Sequence, residues 1–196
     1  MSTRVEATTL APRVDLLTDA AFVLAGTALV AGAAQISIAL PFTPVPITGQ
    51  TFAVLLVGAT LGTVRGTASL LLYLLVGIAG APIYAHHAHG WAVVTSASGG
   101  YLVGFVLAAA LTGFLAEQRW DRRLSSAIGL MLTGNVVIYL VALPWLAIVL
   151  NTNLEKTLEY GLYPFIPGDT FKLYLAAAAL PAAWKLVGRA RNSTER

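Results

Sequence analysis

The sequence contains no cysteine and little charge. Without cysteine, neither a disulfide framework nor a thiolate metal site can form. Charged residues make up 11% of the 196 residues, whereas a soluble globular domain averages roughly 25%. Hydrophobic residues make up 57%, and the mean hydropathy is +0.76. These proportions exclude an ordinary soluble domain and indicate an integral membrane protein.

The sequence also lacks the short motifs of several enzyme classes. No glycine-rich nucleotide loop of the type GxxxxGKS/T is present, so the chain does not hydrolyse ATP by that route. There is no HExxH zinc motif, no nucleophile-elbow serine and no constellation of paired carboxylates. We therefore expect a protein that is not an enzyme and that uses no cofactor.

Apolar segments of the length needed to cross a bilayer recur along the chain, since about 20 helical residues span the hydrocarbon core. They cover residues 20–40, 47–64, 67–85, 91–116, 124–150 and 171–187. The sequence thus predicts an all-α membrane protein with six transmembrane helices. The predicted organisation is a cytoplasmic tail or short surface helix at 1–19, a six-helix transmembrane domain at 20–188 and a second cytoplasmic tail at 189–196.

The basic residues predict the orientation of these helices. If the helices alternate in direction, ten of the twelve Lys and Arg residues fall on one side, leaving only Lys156 and Lys172 on the other. The ten are Arg4, Arg13, Arg65, Arg119, Arg122, Arg123, Lys185, Arg189, Arg191 and Arg196. The positive-inside rule then places both termini in the cytoplasm. It also accounts for the net charge of +3 without a nucleic-acid partner. Because the first 19 residues carry several acidic groups and the next apolar run is long enough to span, we expect no cleaved signal peptide.

An acid and a base stand at the start of the last apolar segment. Asp169 follows Gly168, and this pair predicts a helix start with Asp169 as the N-cap. Lys172 comes three residues later, on the same face, where the two side chains can pair or converge on one ligand. A lysine is unfavourable in a first turn because the helix dipole is positive there. The alternative is a capping aspartate with a lysine that extends to the membrane surface.

The first outer loop, residues 40–50, contains three prolines and no charge, so it cannot form a regular helix. Irregular backbone at membrane depth is tolerated where it is buried in protein or lines a cavity. We therefore predict that this loop folds over a pocket and offers Thr48 and Gln50 as hydrogen-bonding groups. An ordinary proline-rich turn is the alternative.

The next outer loop is rich in histidine and aromatic residues. His86, His87 and His89 suggest a metal site, but no carboxylate or cysteine accompanies them, and a solvated loop is the preferred interpretation. Trp91 and Tyr101 are predicted either to anchor helix ends at the membrane interface or to stack on a ligand.

Two further features concern helix faces. Asn135 lies near the middle of the fifth segment, where a polar amide usually faces the protein interior, and it either joins helices or reaches the pocket. Small residues line one face of the first segment and permit close helix approach, either within this protein or to another subunit. They are Ala21, Ala25, Ala28 and Gly32.

With these residues in view, the chain resembles the BioY family, the biotin-specific S components of energy-coupling factor transporters. Five motifs carry the resemblance, in the family's order, over about residues 20–185. They are residues 44–50 (PVPITGQ), 73–82 (YLLVGIAGAP), 99–105 (GGYLVGF), 134–139 (GNVVIY) and 164–172 (PFIPGDTFK). Two departures occur in the second outer loop. It reads Thr95-Ser96-Ala97-Ser98 where the family usually has Gly-Pro-Thr or Gly-Pro-Ser, and it is rich in histidine where relatives are often rich in glycine.

The resemblance implies a six-helix protein of the cell membrane that captures biotin from outside. It also implies a transmembrane coupling subunit and two ABC ATPase subunits as partners, which supply the energy. In biotin, the ureido ring offers two N–H donors and a carbonyl acceptor, and the chain ends in a carboxylate. Asp169 can accept from a ureido N–H, and Lys172 can donate to the carbonyl or the carboxylate. Tyr101, Trp91 and Phe165 can form apolar walls.

Two other functions are compatible with the residues. One is an S component for another vitamin, such as riboflavin or thiamine, with the same fold and different loops. The other is an intramembrane enzyme that uses Asp169 with one of the three histidines as acid and base.

Overall fold

The computed structural model describes residues 15–194, with side chains described through residue 185. Within this range the chain is helical apart from short loops, a 3₁₀ turn at Ala85–His87 and a small antiparallel sheet that pairs β1 (Ser37–Ile38) with β2 (Ile47–Thr48). The helices are α1 (Leu16–Gln35), α2 (Gln50–Ile78), α3 (Trp91–Val94), α4 (Gly99–Glu117), α5 (Leu124–Leu150), α6 (Leu154–Gly161) and α7 (Ile166–Thr194). The predicted all-helical fold is confirmed. Parts of the predicted tails, residues 1–14 and 195–196, lie outside the described residues.

Several helices begin or end at residues other than those of the predicted apolar segments. Helix α1 begins at Leu16 rather than at residue 20, because Asp15 accepts a hydrogen bond from the backbone N–H of Thr18 at 2.8 Å and caps the helix. The third segment ends at Ile78 rather than at residue 85, since Gly80 follows with a φ of +110°. Helix α7 begins at Ile166 and continues to Thr194, through most of the predicted C-terminal tail.

The second and third predicted segments form the two arms of α2. At Gly62 the backbone leaves the helical region, with φ +83° and ψ 179°, a conformation available essentially to glycine alone. The chain reverses there. An added Cβ on Gly66 would lie 2.9 Å from the Cα of Gly58, whereas eight residues of straight helix would separate them by about 12 Å. The two arms, 50–61 and 63–78, are therefore antiparallel and joined without a loop.

The core of the molecule is the packing of α2 against α4, and of α4 against α5. Close approach depends on small side chains. An added Cβ on Gly58 would lie 2.2 Å from Oγ1 of Thr112 and 2.6 Å from the carbonyl oxygen of Ala109 on α4. Many large apolar side chains face outward, as expected for a surface in contact with lipid. Within the described residues, α1, α2, α4 and α5 are long and apolar enough to cross a membrane.

Polar contacts at one end of the bundle close the turns between helices. Asp19 on α1 forms an ion pair with Arg65 on the second arm of α2. Glu117 accepts a hydrogen bond from the backbone N–H of Thr63 at 2.9 Å and so caps that arm. The opposite end carries β1, β2, the 3₁₀ turn, α3 and α6. The cavity lies among these elements.

Helix α6 was not predicted, because its eight residues are too short and too polar to resemble a membrane segment. Asn153 caps it by accepting a hydrogen bond from the backbone N–H of Lys156 at 2.9 Å. Its position is fixed from the first outer loop, where the hydroxyl of Thr43 donates to the carbonyl oxygen of Tyr160 at 2.7 Å. This contact joins the loop between β1 and β2 to the start of α7 through α6.

Candidate ligand-binding site

The acid and base at the start of α7 form an ion pair. Nζ of Lys172 lies 3.2 Å from Oδ1 of Asp169, which confirms that the two side chains share a helical face. The side chain of Asp169 is 5% exposed and that of Lys172 is 19% exposed. A carboxylate this deeply buried is costly unless its oxygens are hydrogen-bonded.

Groups from three elements satisfy the pair. Lys172 donates to the carbonyl oxygen of Thr48 at 2.7 Å and to Oγ1 of Thr51 at 3.3 Å. The hydroxyl of Thr51 donates to Oδ1 of Asp169 at 3.2 Å, and the phenol of Tyr139 on α5 donates to Oδ2. The ion pair thus ties the end of the first loop, the start of α2, the middle of α5 and the first turn of α7 into one unit.

The predicted capping role of Asp169 was wrong. Helix α7 begins at Ile166, so Asp169 already lies in its first turn. The carboxylate accepts from Thr51, Tyr139 and Lys172 instead of from free N–H groups of the helix. An acid in the first turn still interacts favourably with the helix dipole, although it faces the other helices.

A cavity of about 290 Å³ opens beside this ion pair. It lies close to the lower end of the range of about 300 to 1,000 Å³ that small-molecule sites occupy. The ion pair, Thr51 and Gln50 make one part of its wall polar. The lining residues are Val45, Pro46, Thr48, Gln50, Thr51, Tyr84, Ala85, His86, Ala88, Val93, Ser96, Ser98, Tyr101, Leu102, Phe105, Tyr139, Phe165, Asp169 and Lys172.

The structure brings six of the eight residues singled out from the sequence to this cavity. They are Thr48, Gln50, Tyr101, Phe165, Asp169 and Lys172. The other two lie elsewhere. The side chain of Trp91 is 63% exposed and is not part of the cavity wall, because it sits at the outer start of the short helix α3. Asn135 lies below the cavity, in a small cleft with Leu55 and the ion pair, and its buried Oδ1 accepts no hydrogen bond from the described residues.

Aromatic rings form the wall between α4, α5 and α7. The ring of Tyr101 packs edge-to-face on Tyr139 at a centroid distance of 6.3 Å and is tilted against Phe165 at 6.1 Å. The hydroxyl of Tyr101 donates to the carbonyl oxygen of Gly161 at 2.6 Å. The polar atom of this ring is therefore turned to the backbone of α6, and its apolar faces are left to line the cavity.

Sequence reasoning missed Thr51 and Tyr139 as site residues. Thr51 directly follows the motif that ends at Gln50. Tyr139 lies one turn after Asn135, so both residues occupy one face of α5. Helical periodicity indicates this shared face. It gives no information on the position of α5 along its axis relative to α7. This relative position decides which of the two side chains contacts Asp169.

The three histidines do not form a metal site within the residues described. No group of three His, Asp or Glu side chains close enough to hold a metal ion is found there. His86 and His87 both have left-handed backbone, with φ of +57° and +58°. Nδ1 of His86 lies 3.2 Å from the hydroxyl of Ser37, and the backbone N–H of His87 donates to Oε1 of Gln35 at 3.3 Å. The loop is thus attached to the end of α1 and to β1.

The comparison with known proteins gives consistent results. A model of the BioY family matches residues 2–189. The biotin transporter BioY of Rhizobium etli is 35% identical over 147 residues, which cover 71% of this chain and 78% of the relative. The probable biotin transporter BioY of Pyrococcus horikoshii is 37% identical over 161 residues, which cover 82% of this chain and 91% of the relative.

The fold has a matching crystal structure, that of the S-component for biotin from an ECF-type ABC transporter. The TM-score is 0.78 and the sequence identity is 26%, over 86% of this chain and 92% of the other. The named relatives are transporters rather than enzymes, which contradicts the interpretation of the chain as an intramembrane enzyme. Since the family model covers nearly the whole chain, the chain belongs to the BioY family.

Proposed function

We propose that this chain is the biotin-binding membrane subunit of an uptake system. The observation that carries the proposal is the cavity beside the buried Asp169–Lys172 pair. It offers hydrogen-bonding groups of both kinds at one part of its wall and apolar rings elsewhere. Biotin needs acceptors for its ureido N–H groups, donors for its carbonyl and carboxylate oxygens, and apolar contact for its thiophane ring and chain. Membership of a family of biotin transporters supports this assignment.

Within the cavity, we assign the polar contacts to Asp169, Lys172, Thr48 and Gln50 and the apolar wall to Tyr101 and Phe165. Oδ2 of Asp169 takes one hydrogen bond from Tyr139 and keeps acceptor capacity for a ligand N–H. The ammonium of Lys172 is already bonded to three oxygens, so any donation to biotin exchanges one of these bonds. Biotin is cargo in this proposal, and no cofactor takes part.

We further propose that six helical segments cross the plasma membrane, with both termini in the cytoplasm. The two arms of α2 supply two of the crossings and α7 the last. The Arg-rich turns lie at the end opposite the cavity, as the positive-inside rule requires if the cavity opens outside. A cysteine placed at Ser98, which lines the cavity, should react with an impermeant thiol reagent from outside and be protected by biotin. Labelling from the cytoplasmic side alone would overturn this topology.

The energy for uptake must come from partners, since the chain has no nucleotide-binding loop of the kind that hydrolyses ATP. We propose a transmembrane coupling subunit and two ABC ATPase subunits. The face of α1 that carries Ala21, Ala25, Ala28 and Gly32 is exposed along its length, and among the described residues no atom outside the neighbouring turns of α1 lies within 4 Å of an added Cβ on Gly32. This favours docking of another subunit over packing inside this chain.

Ligand-induced stabilisation of the purified chain in detergent tests the proposed substrate. A ligand that binds the folded state raises the melting temperature by mass action. Biotin should raise it in a concentration-dependent way, and riboflavin and thiamine should not. Stabilisation by one of those vitamins instead would assign the cavity to a different substrate on the same fold. Calorimetric titration with biotin then gives the affinity and the stoichiometry.

A further inference from the structure

Tyr73 lies directly behind the cavity wall and does not line it. Its side chain is 1% exposed, on the second arm of α2. The phenol oxygen lies 2.8 Å from Nε2 of Gln50, on the first arm, and the hydroxyl donates to the carbonyl oxygen of Ile83 at 3.2 Å. Tyr73 therefore connects a cavity residue to the outer loop that precedes the 3₁₀ turn.

The direction of these bonds fixes the orientation of the Gln50 amide. A backbone carbonyl can only accept, so the single proton of Tyr73 goes to Ile83, and the phenol oxygen accepts from Gln50. Gln50 thus turns its NH₂ group towards Tyr73. Its Oε1 accepts no hydrogen bond from the described residues. Because Gln50 is 5% exposed and lines the cavity, this oxygen is left as an acceptor for a ligand.

The Tyr73 ring is held rigidly enough to act in this way. It packs edge-to-face on Tyr84 at a centroid distance of 5.4 Å, and the hydroxyl of Tyr84 donates to the carbonyl oxygen of Leu74 at 2.6 Å. Gly77 makes room for this arrangement, since an added Cβ there would lie 2.2 Å from the Tyr84 ring. Tyr73 and Gly77 belong to the sequence motif 73–82, but neither residue lines the cavity. These contacts give both residues a structural role.

We propose that Tyr73 is a positioning residue for ligand recognition, which holds the Gln50 amide with its oxygen towards a urea-type N–H donor. This inference rests on the proposed function and deepens it. An amide is nearly symmetric in shape, so the pocket alone cannot exclude the flipped form, in which an NH₂ group would face the N–H of the ligand. The hydroxyl of Tyr73 disfavours that form, because flipping would either place two acceptors against each other or withdraw the Tyr73 proton from the carbonyl oxygen of Ile83.

Binding of biotin to purified wild type, Tyr73→Phe, Gln50→Leu and the double variant, measured by calorimetry, tests the proposal. Tyr73→Phe keeps the ring and its contact with Tyr84. Each single change should weaken biotin binding about five- to tenfold, the effect of one net hydrogen bond. The double variant should bind no more weakly than Gln50→Leu alone, because Tyr73 acts through Gln50. A purely structural role for Tyr73 would make the two losses additive.

Additive losses, or unchanged affinity in either single variant, would overturn the role of Tyr73. The proposed function would still hold in that case, provided that the wild type binds biotin. Failure of the wild type to bind biotin would overturn the proposed function itself. If Tyr73→Phe does not fold, wild type and Gln50→Leu are compared instead, each with biotin and with a biotin analogue methylated at its ureido nitrogens. Gln50→Leu should then weaken binding of biotin and leave that of the analogue unchanged. Equal losses for both ligands would overturn the acceptor role of Gln50.

Discussion

Tyr139 donates its phenolic proton to Asp169 across thirty residues of sequence, and this contact joins α5 to α7 at the polar wall of the cavity. Asp169 is thereby held between a phenol, the hydroxyl of Thr51 and the ammonium of Lys172. A site residue oriented from three sides needs little reorganisation when a ligand arrives, which is the usual basis of tight binding by a small cavity.

The ion pair is expected to dominate ligand affinity. Asp169→Asn replaces an acceptor oxygen by a donor amide and removes the charge, so a buried ligand N–H loses its partner. The cost should be about 1 to 3 kcal/mol, or about five- to 150-fold in affinity. Lys172→Ala should cost at least as much because it strands a buried carboxylate. Lys172→Arg should restore binding only in part, since a planar guanidinium cannot place three bonds as an ammonium does.

Calorimetry with biotin on these variants and on the double variant Asp169→Asn/Lys172→Ala measures both effects. The double variant should lose less than the sum of the single losses, because the two residues are in direct contact. Wild-type affinity in both Asp169→Asn and Lys172→Ala, in variants that fold normally, would exclude a role of the pair in ligand binding.

The small-residue face of α1 is expected to serve subunit docking. Replacing Ala25 or Ala28 with Trp should abolish biotin uptake in cells that carry the partner subunits, while binding by the purified chain stays intact. Leu140→Trp is a matched control, since Leu140 is 68% exposed but lies on α5 rather than on α1. Equal loss of uptake in the control, or loss of ligand binding in the Ala variants, would indicate a packing role instead.

The reversal at Gly62 is expected to be intolerant of any side chain. Gly62→Ala places a Cβ on a conformation that costs roughly 1 to 3 kcal/mol in other residues, and it should lower the melting temperature in detergent. Gly32→Ala should leave the melting temperature unchanged or raise it slightly, since it lies in open space and helix propensity favours alanine. A similar stability of both variants would contradict the strained turn.

Asp121, in the turn between α4 and α5, is fully buried, and burial raises the pKa of its carboxyl. Hydrogen bonding from the indole of Trp184 and the charge of Arg122 offset this only in part. A raised pKa means that the folded state binds the proton more tightly than the unfolded state. Ionised Asp121 therefore destabilises the protein at pH values above its pKa in the folded state. This penalty disappears as the pH falls towards the pKa of Asp121 in the unfolded state.

Asp121→Asn keeps an acceptor for Trp184 and removes the buried charge. Its melting temperature should exceed that of wild type at neutral pH, and the difference should shrink in acid. Melting curves across this pH range measure it. Glu155→Gln, an exposed carboxylate on α6, is the control and should show no such trend. A difference that grows as the pH falls would contradict the assigned direction.

The sequence predicted the parts of the structure that depend on local spacing. Hydropathy found the helical segments, and the three-residue spacing placed Asp169 and Lys172 on one face. Contacts between distant helices were not predictable in this way. Tyr139 rather than Asn135 meets Asp169, and Trp91 stands outside the cavity, because register between helices is set by packing of side chains such as those around Gly58 and Thr112.

The reversal in α2 also escaped sequence reasoning. The second and third predicted segments were separated by residues 65–66. This predicted turn begins three residues after Gly62, where the chain reverses. A single glycine in an unusual conformation does what a loop normally does, and hydropathy carries no signal for it. The chain gives such a signal only through the identity of Gly62 itself.

The absence of a linker at Gly62 restricts how this protein can move. Two helices joined by one residue, with Gly58 and Gly66 in contact beside it, cannot slide or spread independently. The two arms therefore form one rigid unit, which carries Gln50 and Tyr73 at the end away from Gly62. Any opening that admits a ligand must come from the elements around this unit, namely the loop between β1 and β2, the histidine-rich turn at Ala85–His87 and α6. Spin labels on the two arms should report a constant distance with and without biotin, whereas a pair that joins one arm to the histidine-rich turn should report a change.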